Sequence, residues 1–426
     1  MNDPNYNDII SFHALKECAK ECITGVDWKA SVQMFYVQLL AWLGLIRTQL
    51  IKHKYKTLGF HTFRILERGK PRLIQAVHVS ERVVQKSLCN NALKPIIEPL
   101  LIDTNTASRK GMGTQKALDD IVRHLEQHVK KHGRKGGILI MDLHDYFHSI
   151  DHEILLQQYR KVIKDDGIFN LIKYFVKCFK KGLGLGSEIS QISAIFYANN
   201  IDHYVKDTLG IDEYARYMDD SYVICEDIDK LREIRRTIEK MYADLKIEMN
   251  TKKTQIVPFE KSDFIFLKKR FHIEPSGRIV VRPLRKVITT MRRKLVKFKK
   301  KLDNGDMNME GIRMSYRSWR GTVAKYDTSK TIYEMDKQYL KLFDETWEGK
   351  TVEDIIFLKS LPVLKKKLDE GTYSGAEIMD DYMAFKMRNA MQNGKDGIIK
   401  EANLLIQKTF GVQWNRLDTL YRKEAA

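Results

Sequence analysis

Three aspartates carry the clearest chemical signal in the sequence. Asp142 closes the apolar run "GILIMDL" (137–143), and Asp219 and Asp220 stand side by side in "YARYMDDSYVI" (214–224). A lone carboxylate at the end of a buried strand is costly unless it is paired or coordinated. Tyr, Val and Ile favour strands and Asp favours turns, so the second stretch reads as a strand–turn–strand with both acids at its tip. If the two segments are neighbours in one sheet, three carboxylates converge at the strand ends. Such a cluster repels itself unless hard divalent cations, Mg2+ or Mn2+, bind its oxygens. Two ions roughly 3.5–4 Å apart activate an attacking oxygen and stabilise a departing pyrophosphate. A bare Asp-Asp pair would equally suit a surface turn, and the surrounding residues decide between the two.

The elements that must position these acids follow from periodicity. Residues 1 to 55 read as helical, with Trp28, Phe35, Leu39, Leu40, Trp42 and Leu43 at helical spacing. Within them, "VQMFYVQLLAWLGLI" (32–46) is too short to span a bilayer and reads as a buried helix. "FHTFRILERGKPRLIQAVHV" (60–79) alternates apolar and basic residues around a Gly-Lys-Pro turn, which predicts a hairpin. "SERVVQKSLCNNALKPIIEPLL" opens with a Ser N-cap and continues with helical periodicity to its prolines. "DHEILLQQYRKVI" and "DIDKLREIRRTIEKMYADL" are amphipathic helices. The order of elements predicts an α+β domain with helices packed on one sheet.

After residue 284 the texture changes. "RKVITTMRRKLVKFKKKL" (285–302) sets Val287, Met291, Leu295, Phe298 and Leu302 against a strongly basic face, and from about 350 a further helical segment follows with a loop at 371–375. Trp319 either stacks on a base or packs its own helices, and packing is the expectation. The chain as a whole is basic, with 74 Lys and Arg against 55 Asp and Glu. That excess suits a polyanionic partner. Hydrophobic residues make up 43%, which excludes a disordered chain. Five cysteines include no Cys-x-x-Cys pair, and Cys18 and Cys22 alone do not complete a zinc site. Buried reduced thiols in a reducing compartment, the cytosol, are the expectation, with no membrane.

The stretches "ILIMDLHDYFHSIDHEIL", "GLGLGSEISQ", "YARYMDDSYVI", "IEMNTKKTQ" and "FIFLKKRF" resemble, in order and spacing, the palm motifs of reverse transcriptases. The resemblance spans about residues 60 to 330. Within that family it extends to prokaryotic enzymes of diversity-generating retroelements, group II introns and anti-phage defence. It implies a right-hand polymerase fold: an N-terminal helical segment (1–55), fingers (56–136), a palm with an antiparallel sheet (137–265), a primer grip and helical thumb (266–345) and a helical C-terminal extension (346–426). It implies that Asp142, Asp219 and Asp220 are catalytic and, with the carbonyl of Leu143, hold two Mg2+ ions, Mn2+ being the alternative. Phe147 falls at the steric gate that favours dNTPs over rNTPs. Gly186, Ser190 and Gln191 fall in the second palm motif, where Leu185 and Gln191 depart from its usual pattern and point to looser nucleotide selection. Lys70 and Arg72 match the fingers cations on the triphosphate, and Lys253 the lysine near the pyrophosphate.

The same resemblance puts Arg109 and Lys110 of "SRKGMGTQ" on a template strand, and Arg292, Arg293, Lys297 and Lys300 along an A-form heteroduplex. Lys268 stands where the family often has glycine, which puts the primer-grip geometry in doubt. The implied activity is RNA-directed DNA synthesis from an RNA template, a DNA or RNA primer and dNTPs. The role expected is anti-phage defence with a structured noncoding RNA; the alternatives are error-prone copying in a diversity-generating retroelement and a catalytically silent RNA-binding scaffold.

Overall fold

The N-terminal stretch forms four helices, α1 (Tyr6–Ile10), α2 (Phe12–Ile23), α3 (Ala30–Val37) and α4 (Leu39–Ile51). The computed structural model describes residues 3–67, 70–390 and 396–419. The chain divides into two units, Met1–Val280 and Val281–Ala426.

The apolar run at 32–46 corrects its expectation. It is not one buried helix: it breaks at Gln38, and α3 and α4 meet at a bend of 79°. Val32, Phe35, Leu43 and Ile46 turn into the core, whereas Met34, Tyr36, Val37, Leu40 and Leu45 are exposed. A segment apolar on every side has more greasy surface than one packing face can cover. Among the described residues no single helix is long and apolar enough to cross a membrane.

Strands β1 (Phe60–Glu67) and β2 (Lys70–Val77) pair antiparallel along their whole length, in register from Phe60 opposite Val77 to Glu67 opposite Lys70. Arg68 and Gly69, expected in the turn, lie outside the described residues. Helix α5 (Val79–Leu88) follows, then the short α6 (Lys94–Ile97) and the long α7 (Thr114–His132). The cap of α5 is His78, not Ser80, because the His78 ring Nδ1 accepts the Ser80 N–H at 3.3 Å.

The sheet that carries the acids is built next. Strand β3 (Gly137–Met141), wholly buried, leads through α8 (Tyr146–Ser149), α9 (His152–Val162), α10 (Asp166–Lys177), α11 (Glu188–Tyr197) and α12 (Asn199–His203) to the hairpin β4 (Tyr214–Tyr217) and β5 (Asp220–Cys225). Helix α13 (Ile228–Asp244) and β6 (Gln255–Pro258) complete it, in the order β4-β5-β3-β6. Asp151 caps α9 and Asp227 caps α13, each accepting two main-chain N–H bonds. Gly182 is obligatory where the chain crosses α8: its φ is 58°, and a Cβ there would lie 2.4 Å from the His148 backbone. Strands β7 (Phe264–Phe266), β8 (Lys269–Ile273) and β9 (Ile279–Pro283) form a separate three-stranded sheet, and the unit boundary falls inside β9.

The second unit is helical: α14 (Arg285–Asp303), α15 (Met309–Val323), α16 (Ser329–Phe343), α17 (Val352–Asp369), α18 (Gly375–Ala390) and α19 (Asp396–Phe410). It holds two apolar cores. Met291, Leu295, Ile312, Tyr316, Met335 and Tyr339 form one, with Trp319 stacked on Tyr316 at 5.4 Å. Phe357, Leu361, Tyr382, Phe385, Ala402 and Ile406 form the other. All five cysteines are free thiols, four of them buried.

Candidate active site

Strand β3 ends at Met141, which pairs with Ser221 of β5. One residue further, the register sets Asp142 level with Asp220, and residues directly opposite in an antiparallel pair share a face. Tyr217 pairs with Asp220, so Met218 and Asp219 are the two loop residues of the β4–β5 hairpin. Met218 has φ 58° and Asp219 is not among the described residues of positive φ, the pattern of a type II′ turn. Glycine is the usual first loop residue there, and a methionine costs on the order of 1–3 kcal/mol.

Asp142 is buried, and partners hold both of its carboxylate oxygens. Lys253 Nζ donates to Oδ2 at 2.6 Å and Asn250 Nδ2 to Oδ1 at 2.9 Å. Leu143 forms an isolated antiparallel bridge with Met249, made by Asn250 N–H to the Asp142 carbonyl and His144 N–H to the Glu248 carbonyl. That is the non-hydrogen-bonded type of pair, so the C=O of Leu143 points away from Met249, toward the β5 side. The carbonyl is thus directed to the side on which Asp220 stands.

Burial raises the affinity of Asp220 for its proton, and the neighbouring Asp219 and Asp142 charges raise it further, up to about 7; Lys253 and Lys268 oppose the rise. Asp219 is shifted upward as well, again by burial first, with Asp142 adding and Lys253 and Arg72 opposing. Among the described residues no three Asp, Glu, His or Cys side chains are grouped to hold a metal ion as they stand. Asp142 is engaged by Lys253 and Asn250 instead. The donor set of three carboxylates and one carbonyl still fits a hard divalent cation, which would offset both the burial and the neighbouring charge that shift Asp219 and Asp220 upward.

The remaining expected residues fall into three groups. The Arg72 charge opposes the upward shift of Asp219, so β2 carries a cation whose field is felt at the acid turn. Lys70 opens β2, and its side chain lies outside the described residues. Phe147 is half-buried beside Tyr146, its carbonyl accepting the Leu183 N–H at 2.7 Å, and the Leu185 carbonyl accepts the Gln75 N–H at 3.2 Å. The second palm motif is therefore strung between the Phe147 segment and β2. Gly186 has φ 110°, which glycine adopts without strain.

Two of the expected polar groups face the protein itself. Ser190 is fully buried on α11, with its hydroxyl unpartnered. Arg109 donates to the carbonyls of Ile102 and Asn105, both at 3.0 Å, so it shapes its own loop, while Lys110 is exposed. Gln191 accepts from Ser108 at 3.2 Å, joining that loop to α11. Arg292, Arg293, Lys297 and Lys300 lie exposed on α14 of the second unit.

Sequence reasoning missed several groups. A polar cavity of about 320 Å³ joins the expected Gly186 and Gln191 to the unexpected Arg82, Lys86, Lys94 and Glu188, with Glu188 bridging Lys94 at 2.7 Å and Lys86 at 3.0 Å. Arg82 and Lys86 are four residues apart on α5, a helical spacing that could have flagged them. Asn250 stands in "MNTKKT" beside Lys253, and its bond to Asp142 had no sequence signal. The β7–β8 turn places Leu267 at φ 43° and Lys268 at φ 63°, a type I′ geometry that normally takes Asn-Gly. Lys268 adopts the conformation of the glycine it replaces and lies near enough to act on Asp220.

The chain is similar to several known proteins. The model of the family "Reverse transcriptase (RNA-dependent DNA polymerase)" matches residues 52–272, just over half of the chain. Protein YkfC of Escherichia coli (strain K12) is 24% identical over 294 residues, 58% of this chain and 75% of that protein. A Candida albicans telomerase in complex with a telomeric RNA fragment has 10% identity and a TM-score of 0.45, covering 91% of this chain and 68% of its own. An apo telomerase from Candida tropicalis has 13% identity and a TM-score of 0.44, with 85% and 73% covered.

Proposed function

The chain belongs to the reverse transcriptase (RNA-dependent DNA polymerase) family, and on that premise we propose that Asp142, Asp219 and Asp220 are its catalytic acids, with Mg2+ as the metal. It is an RNA-directed DNA polymerase, a nucleotidyltransferase of right-hand polymerase fold that uses divalent ions, an RNA template and nucleotides. The observation carrying the assignment of the acids is the β3–β5 register, which sets Asp142 level with Asp220 beside Asp219.

Bound there, divalent ions would lower the barrier for a primer 3′-hydroxyl to attack the α-phosphate of a dNTP. The three carboxylates and the Leu143 carbonyl would hold them. Lys253, already on Asp142, would give a proton to the leaving pyrophosphate. Arg72 supplies a forked cation for the triphosphate. Phe147, tied to Leu183 through its carbonyl, offers a ring that leaves no room for a 2′-hydroxyl.

The biological setting we infer is anti-phage defence in a bacterial cytoplasm with a structured noncoding RNA. Support comes from the helical extension with its own apolar core, which exceeds what the chemistry needs, and from the Leu185 and Gln191 departures. Those same departures favour the second reading, a diversity-generating retroelement enzyme.

Extension of a primer on an RNA template is the test. Mg2+-dependent incorporation of dNTPs is expected, strongly preferred over rNTPs, with Phe147→Ala admitting rNTPs. Incorporation that persists in Asp219→Ala and Asp220→Ala would remove the assigned acids. RNA co-purifying from cells identifies the template class: one abundant noncoding species supports defence, a variable-repeat transcript supports diversification.

A further inference from the structure

The catalytic turn is strained, and something must hold it. Met218 sits at φ 58°, a conformation that side chains other than glycine rarely adopt. Directly behind it lies Arg216, with 1% of its surface exposed. Its Nη1 donates to the Met218 carbonyl at 3.3 Å. The rest of the guanidinium is anchored: Nε donates to Asp202 Oδ1 at 2.7 Å, Nη2 to Asp202 Oδ2 at 2.6 Å, and Nη2 to the Ile195 carbonyl at 2.6 Å. Asp202 is itself fully buried on α12 and also accepts from Tyr214 at 2.7 Å and Asn105 at 3.3 Å.

A buried ion pair is weak evidence for stability, because desolvation offsets most of its attraction. Its placement is informative here. The forked geometry fixes the guanidinium plane, and that plane sets where Nη1 can meet the Met218 carbonyl. Ile195 lies on α11, the helix that opens with the second palm motif, and Asn105 lies in the loop that leads to Lys110. The network thus joins the acid turn to two segments expected to face nucleotide and template.

We propose that Asp202 and Arg216 are positioning residues that hold Met218 in its left-handed conformation and so aim Asp219 and Asp220. The inference rests on the assignment of those two acids as catalytic. It predicts an interaction specific to the strain: once residue 218 can adopt this φ freely, the support becomes dispensable. Glycine does so.

The test compares Arg216→Gln in the natural background and in a Met218→Gly background, each against its own parent, by primer extension. With Met218 present, kcat is expected to fall about ten- to a hundredfold, the range set by misplacing a reacting group. The KM for dNTP should change little, and the Mg2+ concentration for half-maximal rate should rise. In the Met218→Gly background the same substitution should cost less than about threefold. Equal losses in both backgrounds would overturn the proposal, because a purely structural role does not depend on residue 218. Since removing one partner of a buried pair can unfold a protein, the comparison is repeated with Asp202→Leu and Arg216→Met together, which leaves no unpaired charge. Full activity of that folded double variant with Met218 in place would also overturn it. Failure of the unaltered protein to incorporate dNTPs with any divalent ion would instead sink the assignment of the acids beneath it.

Discussion

Two clusters of like charge, the acids of the β4–β5 turn and the bases of α14, are handled in opposite ways. Asp219 and Asp220 are half-buried and crowded with Asp142, and Asp220 is pushed up to about 7 as a result. Arg292, Arg293, Lys297 and Lys300 are spread over an exposed helical face, where each charge keeps its water. Crowding under burial is relieved by a proton or a compact cation held at one point, which makes a discrete site. Exposure leaves a diffuse field that attracts any phosphate backbone. Burial, more than charge density, separates a point that suits one compact cation from a surface that suits an extended polyanion.

The strongest challenge to this contrast is Asp220→Asn. Activity should drop on the order of 10³-fold or more, since about 1.4 kcal/mol of lost stabilisation is tenfold in rate. Stability should move the other way. The folded pKa lies above the unfolded one, so the folded state binds the proton more tightly, and metal-free stability is lost as pH rises from about 4 through 7. The variant lacks that loss, and thermal melts in chelator should show it more stable than the parent at pH 8 but not at pH 4. A parent that melts identically at both values, with the variant always below it, would mean that the acids are not crowded.

The bases make a milder prediction. Replacing Arg292, Arg293, Lys297 and Lys300 together by Gln should weaken binding to a primed RNA template for all sequences alike. The slope of log affinity against log salt should flatten by about 0.7–0.9 for every phosphate that is no longer neutralised. A weakening confined to certain sequences, or an unchanged slope, would show that this face does not hold the backbone.

A subtler probe of the role of burial lies behind the sheet. His124, buried on α7, bonds Tyr222 of β5 at 2.8 Å, and burial with the Arg123 charge lowers its pKa to about 4. The unfolded state then binds the proton more readily between about 4 and 6.5, so this contribution to stability is present above 6.5 and lost as pH falls. On the order of 3 kcal/mol is at stake, from about 2.5 pKa units at about 1.4 kcal/mol each. His124→Gln should flatten the acid limb of stability measured by denaturant titration; an unaltered limb would assign acid unfolding to other groups.

Much of the catalytic framework was legible in the chain. The buried run before Asp142 and the Tyr-Met-Asp-Asp hairpin announced their strands because β-branched and aromatic residues surround short turns, and α9, α13 and α14 announced themselves through a single apolar stripe. Other features had no local signal. Ser190 and Arg109 carry the right polar groups, but packing turned one into the core and the other into its own loop. The run at 32–46 looked like one helix because hydropathy records which residues avoid water, not where a chain bends.

Residue type and spacing were enough to say which chemistry is available: three acids at the ends of strand-forming segments, cations in the expected order, and a basic helix later in the chain. These are local properties, and they hold whatever the segments pack against. Folding in three dimensions was needed to set Asp142 level with Asp220, to bring Lys253 and Asn250 onto it, and to bury Arg216 against Asp202 behind a strained methionine. Each of those depends on pairing residues from different segments, and such pairing is settled by sheet register and by what the packed interior excludes from water.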